Sequence, residues 1–334
     1  MKRWLMIALA ALTLLASACG TTETAATGPV KEEKVYVYPG EERQMAYKNP
    51  AYENAAFAEG AAYSPKFMDE AEREAFGYTG TVHWVESHNN HVFTVLSLPE
   101  DDDGTQKYPL VLMLHGFNST LDEWTYYVKG LNDAGYACLL FDFRGGHSGD
   151  QSRSDGKFTQ MSFDTKLADI RAVTAYAETL DRIDQSNFIL AGHSQGGMMA
   201  LITMCDAQLR DRFNGVLLLA PYTDARIVEK YAAPEDVPDS ASLLVCTVGK
   251  DYLYSAWKYE HIIWDALPSY DRPVLLLTGS ADEIVKVDSV KRVADTIGDN
   301  AVFTVVDGGY HDFQPALMQD VNETVTAFFA MLIK

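Results

Sequence analysis

The chain has 334 residues, 47% of them hydrophobic and 22% charged. That is enough apolar material for one large domain with its own core, and it excludes disorder as the organising state. Its 27 Lys+Arg face 47 Asp+Glu, a formal net charge of −20, so the surface repels phosphate backbones and nucleic acid is excluded as a partner.

Residues 1–18 read as a targeting segment. Lys2 and Arg3 supply a positive start, an apolar stretch over 4–15 is broken only by Thr13, and small residues follow. The stretch is too short to span a bilayer comfortably. It ends Leu15-Ala16-Ser17-Ala18-Cys19-Gly20, which resembles the lipobox of bacterial lipoproteins. That resemblance implies lipidation of Cys19 and an extracytoplasmic protein anchored to a membrane, with a plain secreted form as the alternative. Residues 19–30 then read as a tether. Residues 31–80 are polar, interrupted by Pro and Gly, with one short amphipathic stretch at 68–75; they read as an extension packed on the domain that follows.

From residue 81 to 334 the pattern changes. Residues 81–86 and 91–98 alternate like a β-hairpin, 109–114 is a short apolar strand, and 121–134 has helical spacing up to Gly135. A buried strand over 136–143, an amphipathic helix over 163–180, a strand over 187–191, a helix over 197–209 and a strand over 213–220 follow. The alternation pauses over about 222–272, too long for a plain connection, so a cap over the active site is expected there. It resumes with a strand at 274–278, a helix around 287–297, a strand at 301–306 and a last helix at 318–333. Short apolar runs alternating with helices predict an α/β fold: a mostly parallel sheet with helices on both faces.

Cys138, Cys205 and Cys246 lie in apolar runs and read as buried free thiols. His83, His88 and His91 cluster around the hairpin turn with no carboxylate partner in the sequence, and no metal site is assigned to them.

Residues 192–196 are Gly-His-Ser-Gln-Gly, directly after an apolar strand and directly before a helix. Glycines in that context allow a tight strand-to-helix turn that exposes the oxygen of Ser194. A serine hydroxyl needs a base, itself held by a third group. The strand at 301–306 delivers His311 to the same edge as base. The strand at 274–278 delivers Asp282 as the orienting acid; Glu283 and Asp224 are the alternatives, and Asp307 reads as a turn cap. Acyl transfer also needs donors for the oxyanion, and the backbone amides of Phe117 and Gln195 are the candidates. His193 reads as structural, because its position beside the serine points away from Oγ.

These motifs resemble the α/β-hydrolases. HGF at 115–117, DFRG at 142–145, GHSQGG at 192–197, GSADEIV at 279–285 and GGYHDF at 308–313 match in type and order. Through SDGKFTQMS at 154–162, GHSQGG and 249–277, the chain most resembles bacterial cinnamoyl or feruloyl esterases. Between Gly145 and Ser154 it is longer than that family's usual turn. The resemblance implies a capped pocket for hydroxycinnamate esters, and the aromatic-rich stretch 251–270 offers Tyr252, Tyr254 and Trp257 as acyl contacts, or as the cap's own core. The expected reaction is hydrolysis of a small-molecule ester through an acyl-enzyme, with no cofactor. The alternatives are a general carboxylesterase, a monoacylglycerol-lipase-like hydrolase, a serine peptidase of the same fold, and a tethered binding protein on a hydrolase scaffold.

Overall fold

The computed structural model describes residues 38–333 apart from 39, 67–68, 101–103, 224–230, 232 and 234–235. Cys19 with the targeting segment, and Asp224, lie outside the described residues. Among the described residues no helix is long and apolar enough to cross a membrane.

Nine strands form the main sheet: β1 (Ala62–Tyr63), β2 (Gly80–Ser87), β3 (Asn90–Ser97), β4 (Tyr108–Leu114), β5 (Ala137–Phe141), β6 (Ile183–His193), β7 (Gly215–Leu219), β10 (Val274–Gly279) and β11 (Ala301–Val306). Between β7 and β10 the cap contributes a separate hairpin of β8 (Ser240–Leu243) and β9 (Cys246–Gly249). The order across the sheet is β1-β2-β3-β5-β4-β6-β7-β10-β11. β1, β2, β3 and β5 are joined by antiparallel pairings; from β5 to β11 all neighbours are parallel. The β2–β3 turn is only His88 and Asn89, both with positive φ (48° and 58°), the local twist a two-residue hairpin requires.

The parallel strands are apolar on both faces because helices cover both. Leu110, Leu112 and Leu114 of β4 join the core beneath α3 (Phe163–Ala177), α4 (Gln195–Cys205), α5 (Lys250–Ala266) and α6 (Val287–Ile297), whereas Val111 and Met113 face α2 (Thr125–Asp133) and α7 (Met318–Ala330). The helix expected over 121–134 is a 3-10 turn, Leu121–Trp124, followed by α2. Thr120 caps the turn, its hydroxyl accepting from the Asp122 amide.

The segment before the sheet is strapped down along its length. α1 (Glu70–Phe76) starts at an N-cap, Asp69, and β1 pairs with β2. Met45 is wholly buried, and its amide and carbonyl exchange 2.8 Å hydrogen bonds with the Asn90 side chain. Farther up the strap, Tyr38 stacks on Tyr254 of α5 at 4.5 Å and donates to Asp164 of α3. The same buried carboxylate accepts from Tyr259 (2.6 Å) and Lys258 (2.7 Å) of α5. Arg43 pairs with Asp251. One buried acid thus ties strap, core helix and cap helix together, and removing one partner of such a site exposes the rest to an uncompensated charge.

Two of the three clustered histidines do have carboxylates, supplied by distant segments: His83 Nδ1 lies 2.6 Å from Glu59, and His91 Nδ1 lies 3.3 Å from Asp155. Cys138 and Cys246 are buried free thiols; Cys205 is half-buried and also free.

Candidate active site

β6 runs straight into α4, and Ser194 sits at the join with φ 52° and ψ −117°, a strained conformation for a residue with a side chain. Its backbone is fixed from both directions. The Ser194 amide donates to the Leu219 carbonyl (2.9 Å), and its carbonyl accepts from Met198 (3.1 Å) and Tyr222 (2.9 Å). The flanking glycines are required by space: a Cβ on Gly192 would strike the Gly196 carbonyl, and one on Gly196 the Leu114 carbonyl. Ser194 is buried apart from the face that lines a cavity.

The loops after β10 and β11 leave the sheet edge together, because the strands pair in register up to Gly279 and Val306. They are zipped by Ser280 N–H to Val306 O and Ala281 N–H to Gly309 O, both 2.9 Å. Across this seam His311 Nδ1–H donates to Asp282 Oδ2 at 2.8 Å, which leaves Nε2 as the basic nitrogen. The other oxygen of Asp282 accepts from the amides of Ile284 (2.8 Å) and Val285 (2.9 Å). Burial alone would raise this carboxyl; the bonds from His311 and the two amides outweigh it and hold Asp282 below its ordinary range. Glu283 points outward at the rim of the cavity.

The loop after β4 approaches Ser194 closely: a Cβ on Gly116 would lie 3.3 Å from that of Ser194. Phe143 N–H donates to His115 Nε2 (3.0 Å), so Nδ1 carries the proton and donates to the Gly116 carbonyl (2.9 Å). Burial, with the charge of Lys166 nearby, pushes His115 down to about 4, so it is a neutral strut. The Gly116 amide donates to both oxygens of Glu123 (2.9 and 3.1 Å). With its donor and acceptor occupied, Gly116 fixes the plane that aims the next amide, that of Phe117. Gln195 opens α4, where a helix amide has no intrahelical acceptor.

Three residues behind these groups carry polar contacts that sequence reasoning did not assign. His193 turns away from the cavity, and its Nδ1 and Nε2 donate to Glu123 (2.7 Å) and to the backbone carbonyl of His311 (3.0 Å). Both partners only accept, so the ring is an imidazolium. Burial would lower it, but Glu123 and then Asp312 raise it to about 9. Ligand atoms of His193, His311 and Asp312 come within 4.8 Å of one another, yet an imidazolium with both N–H groups engaged has no lone pair for a metal. Lys166, wholly buried in α3, donates to Gln195 Oε1, and Gln195 Nε2 donates to the Tyr252 hydroxyl (2.7 Å). Burial drops this ammonium to about 7, against the pull of Asp169 and Glu123.

The cavity at Ser194 is about 400 Å³ and is lined by Phe117, Gln195, Tyr222, Leu243, Tyr252 and Ile284 among others. Of the three proposed acyl contacts, Tyr252 is in this wall. Tyr254 and Trp257 are not: Tyr254 stacks on Tyr38, and Trp257 packs edge-on against His261. The reason is helical phase, since α5 turns Tyr252, Tyr259 and Ile263 inward and carries 254 and 257 round to its outer flank. Tyr222, at the start of the cap, fills the place these two were expected to take.

Residues 109–245 match the family model of the alpha/beta hydrolase fold. The quorum-quenching protein AidA of Acinetobacter baumannii (strain MDR-ZJ06) is 34% identical over 118 residues, 35% of this chain and 36% of that protein. Mouse epoxide hydrolase 4 is 32% identical over 105 residues, 30% of this chain and 26% of that protein. The chain therefore spans well under half the length of these relatives. Among solved structures, Est1E of Butyrivibrio proteoclasticus with bound ferulic acid superposes with a TM-score of 0.65 at 25% identity, covering 75% of this chain and 98% of that one. A monoacylglycerol lipase of Paleococcus ferrophilus superposes at 0.55 and 17% identity, covering 72% and 99%. The chain has the α/β-hydrolase fold, with a mostly parallel central sheet and helices on both faces.

Proposed function

We propose that this protein is a serine hydrolase acting on carboxylic esters. The observation that carries the reading is the 2.8 Å His311–Asp282 bond at the sheet edge that also holds the strained Ser194 elbow. His311 Nε2 takes the Ser194 proton as Oγ attacks the ester carbonyl, and the amides of Phe117 and Gln195 receive the oxyanion. Collapse releases the alcohol with that proton and leaves an acyl-serine. Water, deprotonated by His311, then attacks, and the carboxylic acid departs as Ser194 regains its hydrogen.

The acyl group we favour is aromatic, such as a hydroxycinnamoyl group. Support comes from the size of the cavity, from its rings Phe117, Tyr222 and Tyr252, and from the likeness to Est1E, whose structure holds ferulic acid. A second reading, aliphatic esters such as monoacylglycerols, is favoured by Leu243, Leu244 and Ile284 at the mouth. Fluorophosphonate labelling of folded protein at Ser194 tests the enzyme class, and its absence would sink it. Comparing kcat/KM for methyl ferulate, p-nitrophenyl esters, monoacylglycerols and aminoacyl amides separates the substrates. The lipid anchor at Cys19 and the extracytoplasmic location belong to the same proposal; Cys19→Ala should abolish radiolabelled palmitate incorporation in a bacterial host.

A further inference from the structure

Three loops must keep register for the proposed chemistry: the oxyanion loop after β4, the elbow after β6 and the base loop after β11. One pair of side chains touches all three. Glu123 accepts from the Gly116 amide of the first loop and from His193, which belongs to the elbow; His193 donates its other N–H to the carbonyl of His311 in the third. We propose that Glu123 and His193 are positioning residues that act as one charged bridge, holding the backbone of the base His311 and the oxyanion loop in fixed relation to Ser194. The proposal rests on the serine-hydrolase reading and deepens it.

The geometry demands a specific ionisation. A carboxylate and a backbone carbonyl both only accept, so His193 serves both partners only as an imidazolium. Glu123 in turn needs its full charge to accept from Gly116 and His193 together. The groups facing His193 are Glu123 at 2.7 Å, Asp312 at 3.7 Å from the exposed side, and the ring of His311 with centroids 4.8 Å apart. The two carboxylates favour the cation and outweigh its burial, which is why its proton is held to about 9. Above that value a neutral ring keeps one N–H and drops either Glu123 or His311. A neutral histidine adjacent to the serine would leave the His311 carbonyl, and with it the ring anchored on Asp282, free to drift. Displacements of that order near reacting atoms lower rate more than binding.

The test uses full-length protein, a soluble p-nitrophenyl ester and the variants Glu123→Gln, His193→Gln and the double replacement. Each single variant is expected to lower kcat by roughly 10- to 100-fold with KM changed less than about threefold, and the double to lose little more than either, because the pair acts as a unit. In Glu123→Gln the alkaline limb of the kcat profile should move from near 9 toward the ordinary imidazole value of about 6.5. Wild-type kcat in a folded single variant, additive losses in the double, or an alkaline limb that stays in place would overturn the bridge. If a variant fails to fold, histidine-selective NMR on the wild type decides: His193 should titrate near 9 with both N–H protons protected below it, and titration near the ordinary value would overturn the proposal. A wild type that neither labels with fluorophosphonate nor cleaves the ester would instead sink the hydrolase reading itself.

Discussion

The cavity at Ser194 has two walls made on different principles. On the sheet side, the backbones of Ser194 and Gly116 and the side chains of Asp282 and His193 are held by fixed partners, most of them backbone or carboxylate. On the cap side the wall is a hairpin and one helix. Its tip, Leu244 and Val245, is 71% and 94% exposed, and among the lining residues of the hairpin and helix only Tyr252 anchors its polar end, on Gln195. On the proposed mechanism, groups that must hold still for bond-making sit where parallel strands end together, and groups that sort substrates sit where an insertion can change without disturbing the sheet. Replacements on the first wall should therefore move kcat, and replacements on the second should move KM and preference.

The largest effect expected is from Ser194→Ala, a loss of at least about 10⁴-fold in kcat on any ester substrate. Next comes Asp282→Asn, which keeps the shape but presents the wrong tautomer to His311; kcat should fall by roughly 10³- to 10⁴-fold. Its stability effect has a definite sign. Asp282 is held below its ordinary range, so its stabilisation is present above the unfolded value of about 3.9 and is lost as pH falls through the lowered folded value. The Tm gap between wild type and Asp282→Asn should close on acidification. Lys166→Met comes third. It removes a buried ammonium whose proton is already weakened, so Tm should stay or rise, while the freed Gln195 lowers kcat by about tenfold. A Tm drop with unchanged kcat would show that Lys166 serves the core and not the catalytic wall. The smallest effect belongs to the cap: Leu244→Ser should raise KM for the longest acyl groups by about two- to fivefold and leave kcat alone. An equal change for acetate and long esters would break the division between the walls.

The same division separates what a sequence displays from what it hides. That Ser194 and His311 share a sheet edge was legible because each follows an apolar strand, and strand ends of a parallel sheet meet at one edge. β10, β11 and α6 match their expected bounds to within a residue. The hidden partners are joined across long stretches of chain, as Glu123 is to His193 and His193 to His311. For Lys166, which donates to Gln195, one signal was present. α3 buries Asp164, Lys166 and Asp169 along with its apolar face, and charges on the inner face of an amphipathic helix must have partners. The cap was the least legible part. β8 and β9 are joined through Leu244 with φ 52°, without the Asn-Gly or Asp-Gly pair that announces a tight turn. In α5 the density of rings masked the phase that decides which of them faces the cavity.

The strap from Tyr38 to Arg43 also bears on the order in which the molecule is made. It leaves the ribosome before the domain it docks on, and its docking surfaces, Asp164, Asp251 and Tyr254, emerge far later. The segment can therefore meet Asp164 only once α3 exists, and Asp251 and Tyr254 only once the cap helix exists, and contacts so distant in sequence form slowly. Strap and cap helix should lock late, so that a nascent chain has β1 to β7 and its elbow before it has a closed pocket.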